Sequence, residues 1–140
     1  MIKRTYTIEC EPDKKIVARE VPSIKLKSHY VRAFQEGLLE IICDKDLTGD
    51  DIRVFLAIIS HVEYENKFIM PLGHLGEAIG IKRQNVSKSV KKLLEKGYLI
   101  RDGNQGQVNH YMIDPRIIIR CRNFNYKEVI KHWDELPLTQ

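Results

Sequence analysis

One stretch of the sequence decides the fold: GIKRQNVSKSVKKLLEKG, residues 80–97. Its apolar residues recur at the spacing of one helix face, which predicts a helix over residues 83–96. These apolar residues are Val86, Val90 and Leu93. Gly80 and Gly97 flank the helix, and glycine most easily adopts the left-handed conformation that ends a helix. The stretch therefore predicts the end of one helix, a very short turn and a second helix.

Two more helices are predicted before this turn. Thr48 provides a hydroxyl N-cap and Asp51 a carboxylate three residues later, a pairing that satisfies free backbone donors at a helix start. An apolar stripe follows at helical spacing and predicts a core-facing helix that ends between Ser60 and Glu63. The stripe comprises Ile52, Phe55, Leu56 and Ile59.

The segment between that helix and Gly80 predicts a short strand and then a helix. Residues 68–70 are the strand candidate, and Pro71 is typical of the first turn of a helix. The buried face of this helix is predicted to comprise Leu72, Leu75 and Ile79. Gly80 is its predicted end.

A hairpin is predicted after Gly97. Residues 98–101 and 108–113 have the composition of strands, and residues 102–106 between them are rich in residues that tolerate positive φ. A final helix is predicted from the capping-box pattern Asn125-x-x-Glu128. Its apolar stripe forms either a homodimer interface or part of the monomer core, and the frequent dimerisation of helix-turn-helix proteins favours the homodimer. The stripe comprises Tyr126, Val129, Ile130 and Trp133.

The N-terminal part has a weaker pattern. Alternating runs at residues 5–10 and 15–19 predict a β-rich arm, residues 30–34 a further strand, and residues 38–43 a short helix. The predicted domains are an arm over residues 1–35, a central domain over residues 36–120 and a C-terminal amphipathic helix over residues 121–140.

The predicted order of elements is helix, short strand, helix, tight turn, helix and hairpin, which is the order of a winged helix-turn-helix. The predicted fold is therefore α+β, with a winged helix-turn-helix core, an N-terminal β-rich extension and a C-terminal helix. In such motifs the second helix enters the major groove of double-stranded DNA.

The charge pattern of residues 82–96 supports DNA binding. The segment has six basic residues and one acid, Glu95, which gives a local charge of +5 against +4 for the whole chain. A lysine-rich helix face is often only solvated surface, but such faces normally mix both signs of charge. The pattern therefore favours an interface with a polyanion.

The polar face of this helix carries the side chains that DNA recognition needs. Arginine and lysine donate to guanine, glutamine and asparagine pair with adenine, and lysine and serine bind phosphates. The predicted base-reading residues are Arg83, Gln84, Asn85 and Ser87. The predicted phosphate contacts are Lys88, Lys91 and Lys92, and Lys82 belongs to the same basic surface. The hairpin adds Arg101, Asn104, Gln105, Gln107 and Asn109, either as minor-groove or phosphate contacts or as an ordinary polar hairpin tip.

The motifs also resemble known families. The segments that show the resemblance are Leu47–Leu56, Glu65-Asn66, Gly80-Ile81, Val86-Ser87, Leu93–Gly97 and Tyr111-x-x-Asp114-Pro115. Across residues 29–120 the chain resembles RepL-type plasmid replication proteins, which implies binding to origin DNA and a role in starting plasmid replication. Residues 80–97 equally resemble MarR-type transcription regulators, which implies control of transcription. A winged helix used only for protein interaction is a third hypothesis.

Other function classes lack a pattern in this sequence. His61, Glu63 and Glu65, or His132 with its acidic neighbours, do not have metal-ligand spacing, and no nucleophile or phosphate-loop motif occurs. Neither an enzyme nor a cofactor or metal site is therefore expected. The three cysteines are widely spaced and predict free thiols. Without a long apolar run or a signal sequence, we expect no membrane association and a cytoplasmic location.

Overall fold

The computed structural model describes most of the chain. The described residues are 2–5 and 20–23, as strands only, together with 30–122 and 125–137. Two compact units are present, Met1–Tyr30 and Val31–Gln140. In the first, β1 (Ile2–Thr5) pairs antiparallel with β2 (Glu20–Ser23). The predicted runs at residues 5–10 and 15–19 lie outside the described residues, apart from Thr5 at the end of β1.

The second unit is a winged helix-turn-helix, as predicted. Its elements are β3 (Arg32–Ala33), α1 (Gln35–Ile42), α2 (Gly49–Ser60), β4 (Lys67–Phe68), α3 (Leu72–Ile79), α4 (Arg83–Glu95), β5 (Leu99–Gln105), β6 (Val108–Ile113), β7 (Ile118–Ile119) and α5 (Tyr126–Glu135). The strands form an antiparallel sheet of order β4-β6-β5 and a small pair of β3 with β7. Helix α4 packs against both α2 and α3. The domain boundaries at residues 35 and 120 stay predictions.

Helix α2 begins as predicted but turns a different face to the core. The Asp51 amide donates to Thr48 Oγ1 at 3.2 Å, and the Thr48 amide donates to Asp51 Oδ2 at 2.8 Å, which completes the capping box. Val54, Phe55 and Ile58 are fully buried, whereas Leu56 is 52% exposed. The prediction that Leu56 faces the core is therefore wrong. Leu56 follows Val54 by two positions, about 200° around the helix, and points away from it.

A close contact between α3 and the start of α4 forms the turn. Gly80 ends α3 in the left-handed conformation, with φ of 73°, as predicted. The Ile81 amide then donates to the Gly76 carbonyl at 3.0 Å. A Cβ atom at Gly76 would lie 2.5 Å from the Ile81 carbonyl oxygen. Gly76 therefore permits the approach of the two helices, a role that the sequence pattern does not show.

The hairpin differs from its prediction in the length of its first strand. Residues 102–105, predicted as loop, belong to β5, and only Gly106 and Gln107 form the turn. The pairing with β6 shifts register between Arg101 and Asn104, where Gly103 has φ of 85°. A bulge at a glycine lets the strand continue through a segment whose composition is typical of a loop.

Helix α5 covers one face of this sheet. Val129 and Trp133 are buried in a cluster with Ile100, Met112 and Ile119. These two members of the α5 stripe therefore complete the core of the monomer, whereas Ile130 is 41% exposed. The homodimer stays a prediction.

The start of α5 does not have the predicted capping box. The Asn125 side chain makes no hydrogen bond to the helix backbone. Its amide donates instead to the Glu128 carboxylate at 2.9 Å. The two side chains thus satisfy each other in place of the free backbone amides. Across the described ranges, no helix has the length and apolarity needed to cross a membrane.

Candidate nucleic-acid interface

Helix α4 presents one continuous polar surface, which we call the exposed face of α4. All seven of its side chains are exposed: Lys82, Arg83, Gln84, Asn85, Ser87, Lys88 and Lys91. Lys82 is the N-cap residue and makes no side-chain capping bond. Within the described part of the chain, the four basic members of the face have neither a hydrogen-bond nor an ion-pair partner. Their charge is therefore available to an anionic ligand.

The opposite side of α4 fixes the helix in the domain. Val86 and Leu93 are fully buried and Val90 nearly so, all in the main core cluster. This placement confirms the predicted division of the helix into a packed side and a presented side. The predicted DNA contacts from Lys82 to Lys91 thus share one surface.

Lys92 has different surroundings from the rest of the predicted contacts. Its Nζ lies 2.8 Å from Asp51 Oδ2, and Ser89 Oγ donates to Asp51 Oδ1 at 2.7 Å. Asp51 is 4% exposed. Burial acts to raise the pKa of Asp51, but hydrogen bonds from Lys92, Thr48 and Ser89 outweigh it and lower that pKa to about 2. Asp51 is therefore a carboxylate that links α2 to α4. A DNA phosphate would have to compete with Asp51 for Lys92, so the predicted phosphate contact of Lys92 stays a prediction.

Lys96, the last basic residue of residues 82–96, also forms ion pairs with acidic residues that lie outside this segment. Lys96 Nζ contacts Asp46 and lies 3.3 Å from Asp44 Oδ1. The Tyr98 hydroxyl donates to Asp44 Oδ2 at 2.8 Å, and this hydrogen bond lowers the pKa of Asp44. The positive charge of the segment that has no partner in the described part of the chain is therefore concentrated at the N-terminal half and outer side of α4, not spread evenly over residues 82–96.

The hairpin, which we call the wing, borders the N-terminal end of α4. A cleft of about 280 Å³ is lined by Arg83 from α4, His74 from α3, and Gln107 and Asn109 from the wing. Because one cleft contains residues of all three elements, the N-terminus of α4 and the wing open onto the same surface. Further along the wing, the predicted contacts Arg101, Asn104 and Gln105 are exposed.

The histidines considered as metal ligands make hydrogen bonds within the domain. His61 Nδ1 lies 2.8 Å from the Ala57 carbonyl oxygen. His132 Nε2 lies 3.1 Å from Asp102 Oδ2 and thereby connects α5 to the wing. In residues 30–122 and 125–137, no three His, Cys, Asp or Glu side chains are grouped as a metal site requires.

Comparison with protein families shows a similarity for the central segment. Residues 45–107 match the model of the MarR family. The segment contains α2, β4, α3, α4 and the first strand of the wing, β5, and it is similar to the winged helix-turn-helix domain of that family. Because the family is not enzymatic, the match supports the expectation that the chain is not an enzyme. Nothing in the match is specific for RepL-type proteins. Comparisons with curated proteins and with solved structures gave no match.

Proposed function

We propose that this protein binds double-stranded DNA in a sequence-specific manner and regulates transcription, using the exposed face of α4 in the major groove. The observation that supports this most strongly is the division of α4 into two sides. One side is buried against α2 and α3. The other presents four cations that have no partner among the described residues, beside Gln84, Asn85 and Ser87. Cations provide affinity for phosphates, and amide side chains provide selectivity for bases.

Position along α4 supports a separate role for each group of residues. Arg83, Gln84, Asn85 and Ser87 lie in the first turns, which in helix-turn-helix proteins approach the base edges. Lys88 and Lys91 lie further along, and Lys82 lies just before the helix, where contacts to phosphates are expected. The wing adds the exposed residues Arg101, Asn104 and Gln105, and Gln107 and Asn109 line the cleft beside Arg83.

The MarR-family match favours regulation of transcription over the start of plasmid replication. Both roles need a specific DNA site, so the structure of α4 agrees with either. The sequence that the protein selects distinguishes them: a site at a promoter supports regulation, and a site in a plasmid origin supports replication.

The test is a selection from random duplex DNA, followed by fluorescence anisotropy of the retained sequence at two salt concentrations. We expect enrichment of one defined site, with an affinity that falls as salt rises because binding releases counterions from the DNA. The double variant Lys88→Met/Lys91→Met is expected to lose most binding, and Lys127→Met/Lys131→Met on α5 is a charge-matched control. Absence of binding at low salt, with the protein folded, would refute the proposal and favour a protein partner.

A further inference from the structure

We propose that Asp51 is a positioning residue for DNA recognition, which sets the rotation of α4 about its own axis by holding Ser89 and Lys92. The inference rests on the proposed DNA-binding function and names the residues that orient its reading surface. It also reassigns Lys92 from a phosphate contact to a member of this group, which we call the Asp51 clamp: Asp51, Ser89 and Lys92.

The clamp uses both oxygens of one buried carboxylate. Oδ1 accepts from Ser89 Oγ at 2.7 Å, and Oδ2 accepts from Lys92 Nζ at 2.8 Å. Oδ2 also accepts from the Thr48 amide at 2.8 Å, which anchors the carboxylate to the first turn of α2. Ser89 is 4% exposed, so its hydroxyl belongs to the helix interface and not to the exposed face of α4. The clamp therefore joins two helices through directed bonds at a fixed point.

Ser89 and Lys92 lie three positions apart on α4, so both project from the same side of the helix. Lys92 lies about 40° around the helix from Lys88, which belongs to the exposed face. The clamp thus lies between the packed side and the presented side. A bond at that border restrains rotation of the exposed face directly.

Apolar packing alone does not fix this rotation closely, because burial of apolar area has no preferred direction. Hydrogen bonds lose strength when their atoms shift by a few tenths of an ångström. A side-chain tip about 6 Å from the helix axis moves by about 2 Å when the helix rotates by about 20°. Such a shift removes a base contact but leaves lysines on flexible stems able to reach phosphates. Loss of the clamp should therefore lower selectivity more than overall affinity.

The experiment measures dissociation constants for the selected duplex and for a random duplex with each variant. The ratio of the random-duplex to the selected-duplex dissociation constant measures selectivity. Ser89→Ala and Asp51→Asn are expected to lower this ratio by about tenfold, the discrimination that one base contact provides. Partial unfolding reduces the active fraction for both duplexes equally and leaves the ratio unchanged, so the ratio separates positioning from a purely structural role. Asp50→Asn removes the same charge at an exposed neighbouring position and should keep the ratio.

Lys92 is tested by a pair of substitutions. Lys92→Met should lower the ratio, and Lys92→Arg, which keeps a cationic donor for Asp51, should restore it. Neither should change the dependence of random-duplex binding on salt. If Asp51→Asn does not fold, Ser89→Ala and the Lys92 pair decide the outcome. An unchanged ratio in Ser89→Ala and Lys92→Met, with wild type still selective, would overturn the clamp alone, whereas a wild type without selectivity would overturn the proposed function.

Discussion

Neighbouring lysines on α4 have different surroundings, and this difference can be measured. Lys91 is exposed, with no partner among the described residues, whereas Lys92 is paired with Asp51. We predict that Lys91→Met weakens binding to specific and random duplexes alike. The slope of log affinity against log salt should fall by about 1, as expected for one lost phosphate contact. Anisotropy titrations at four or more salt concentrations measure this slope. An unchanged slope would remove Lys91 from the interface.

The charge of Asp51 also makes stability depend on pH. Its pKa falls from 3.8 to about 2 in the folded protein. Its stabilising contribution is therefore fully present well above pH 3.8 and is lost as the pH falls through about 2. The shift corresponds to about 2 kcal/mol in total, of which about 1 kcal/mol is lost between pH 6 and pH 3.

Between pH 6 and pH 3, we expect the free energy of unfolding of wild type to fall by about 1 kcal/mol more than that of Asp51→Asn, because asparagine does not titrate. Urea unfolding at both pH values measures it, with the fluorescence of Trp133 as the probe. Equal losses in the two proteins would show that Asp51 has an ordinary pKa in the fold.

At the scale of elements, the turn between α3 and α4 depends on a residue without a side chain. We predict that Gly76→Ala destabilises the protein by about 1–3 kcal/mol, because the new Cβ meets the Ile81 carbonyl oxygen and forces the helices apart. Gly49→Ala is the control, since no atom lies within 4 Å of a Cβ at that position of α2. Chemical unfolding of both variants tests the difference. Similar stabilities for the two would refute the close approach.

Sequence alone predicted elements where local chemistry decides, and missed features that need distant contacts. Gly80 ends α3 through its own backbone conformation, and the Thr48–Asp51 box starts α2 through hydrogen bonds between residues three positions apart, so these predictions are confirmed. Asp51 also bonds to Ser89, 38 positions away, and nothing in the local pattern around either residue indicates that pairing. The exposed face of α4 follows from periodicity, whereas the ion pair of Lys92 does not. The site was therefore predictable as a surface but not in its electrostatic detail.

At the scale of the whole molecule, α5 belongs to the same folded unit as the wing. Trp133 is 5% exposed in the cluster between α5 and the sheet. We predict that Trp133→Ala costs about 3–5 kcal/mol of stability, as for other buried aromatic residues replaced by alanine. Ile130→Ala, on the exposed side of α5, should cost far less. Urea unfolding followed by circular dichroism compares them. Equal costs would mean that the α5 stripe has another partner.

The most direct test of the account is a base-substitution scan of the selected duplex, with wild type and Gln84→Ala compared at each base pair. If the exposed face of α4 reads bases, Gln84→Ala should lose discrimination at one base position, by about 1–3 kcal/mol, and keep it elsewhere. A uniform loss of affinity at every position, or no change at any position, would contradict the claim that α4 reads DNA sequence through this face.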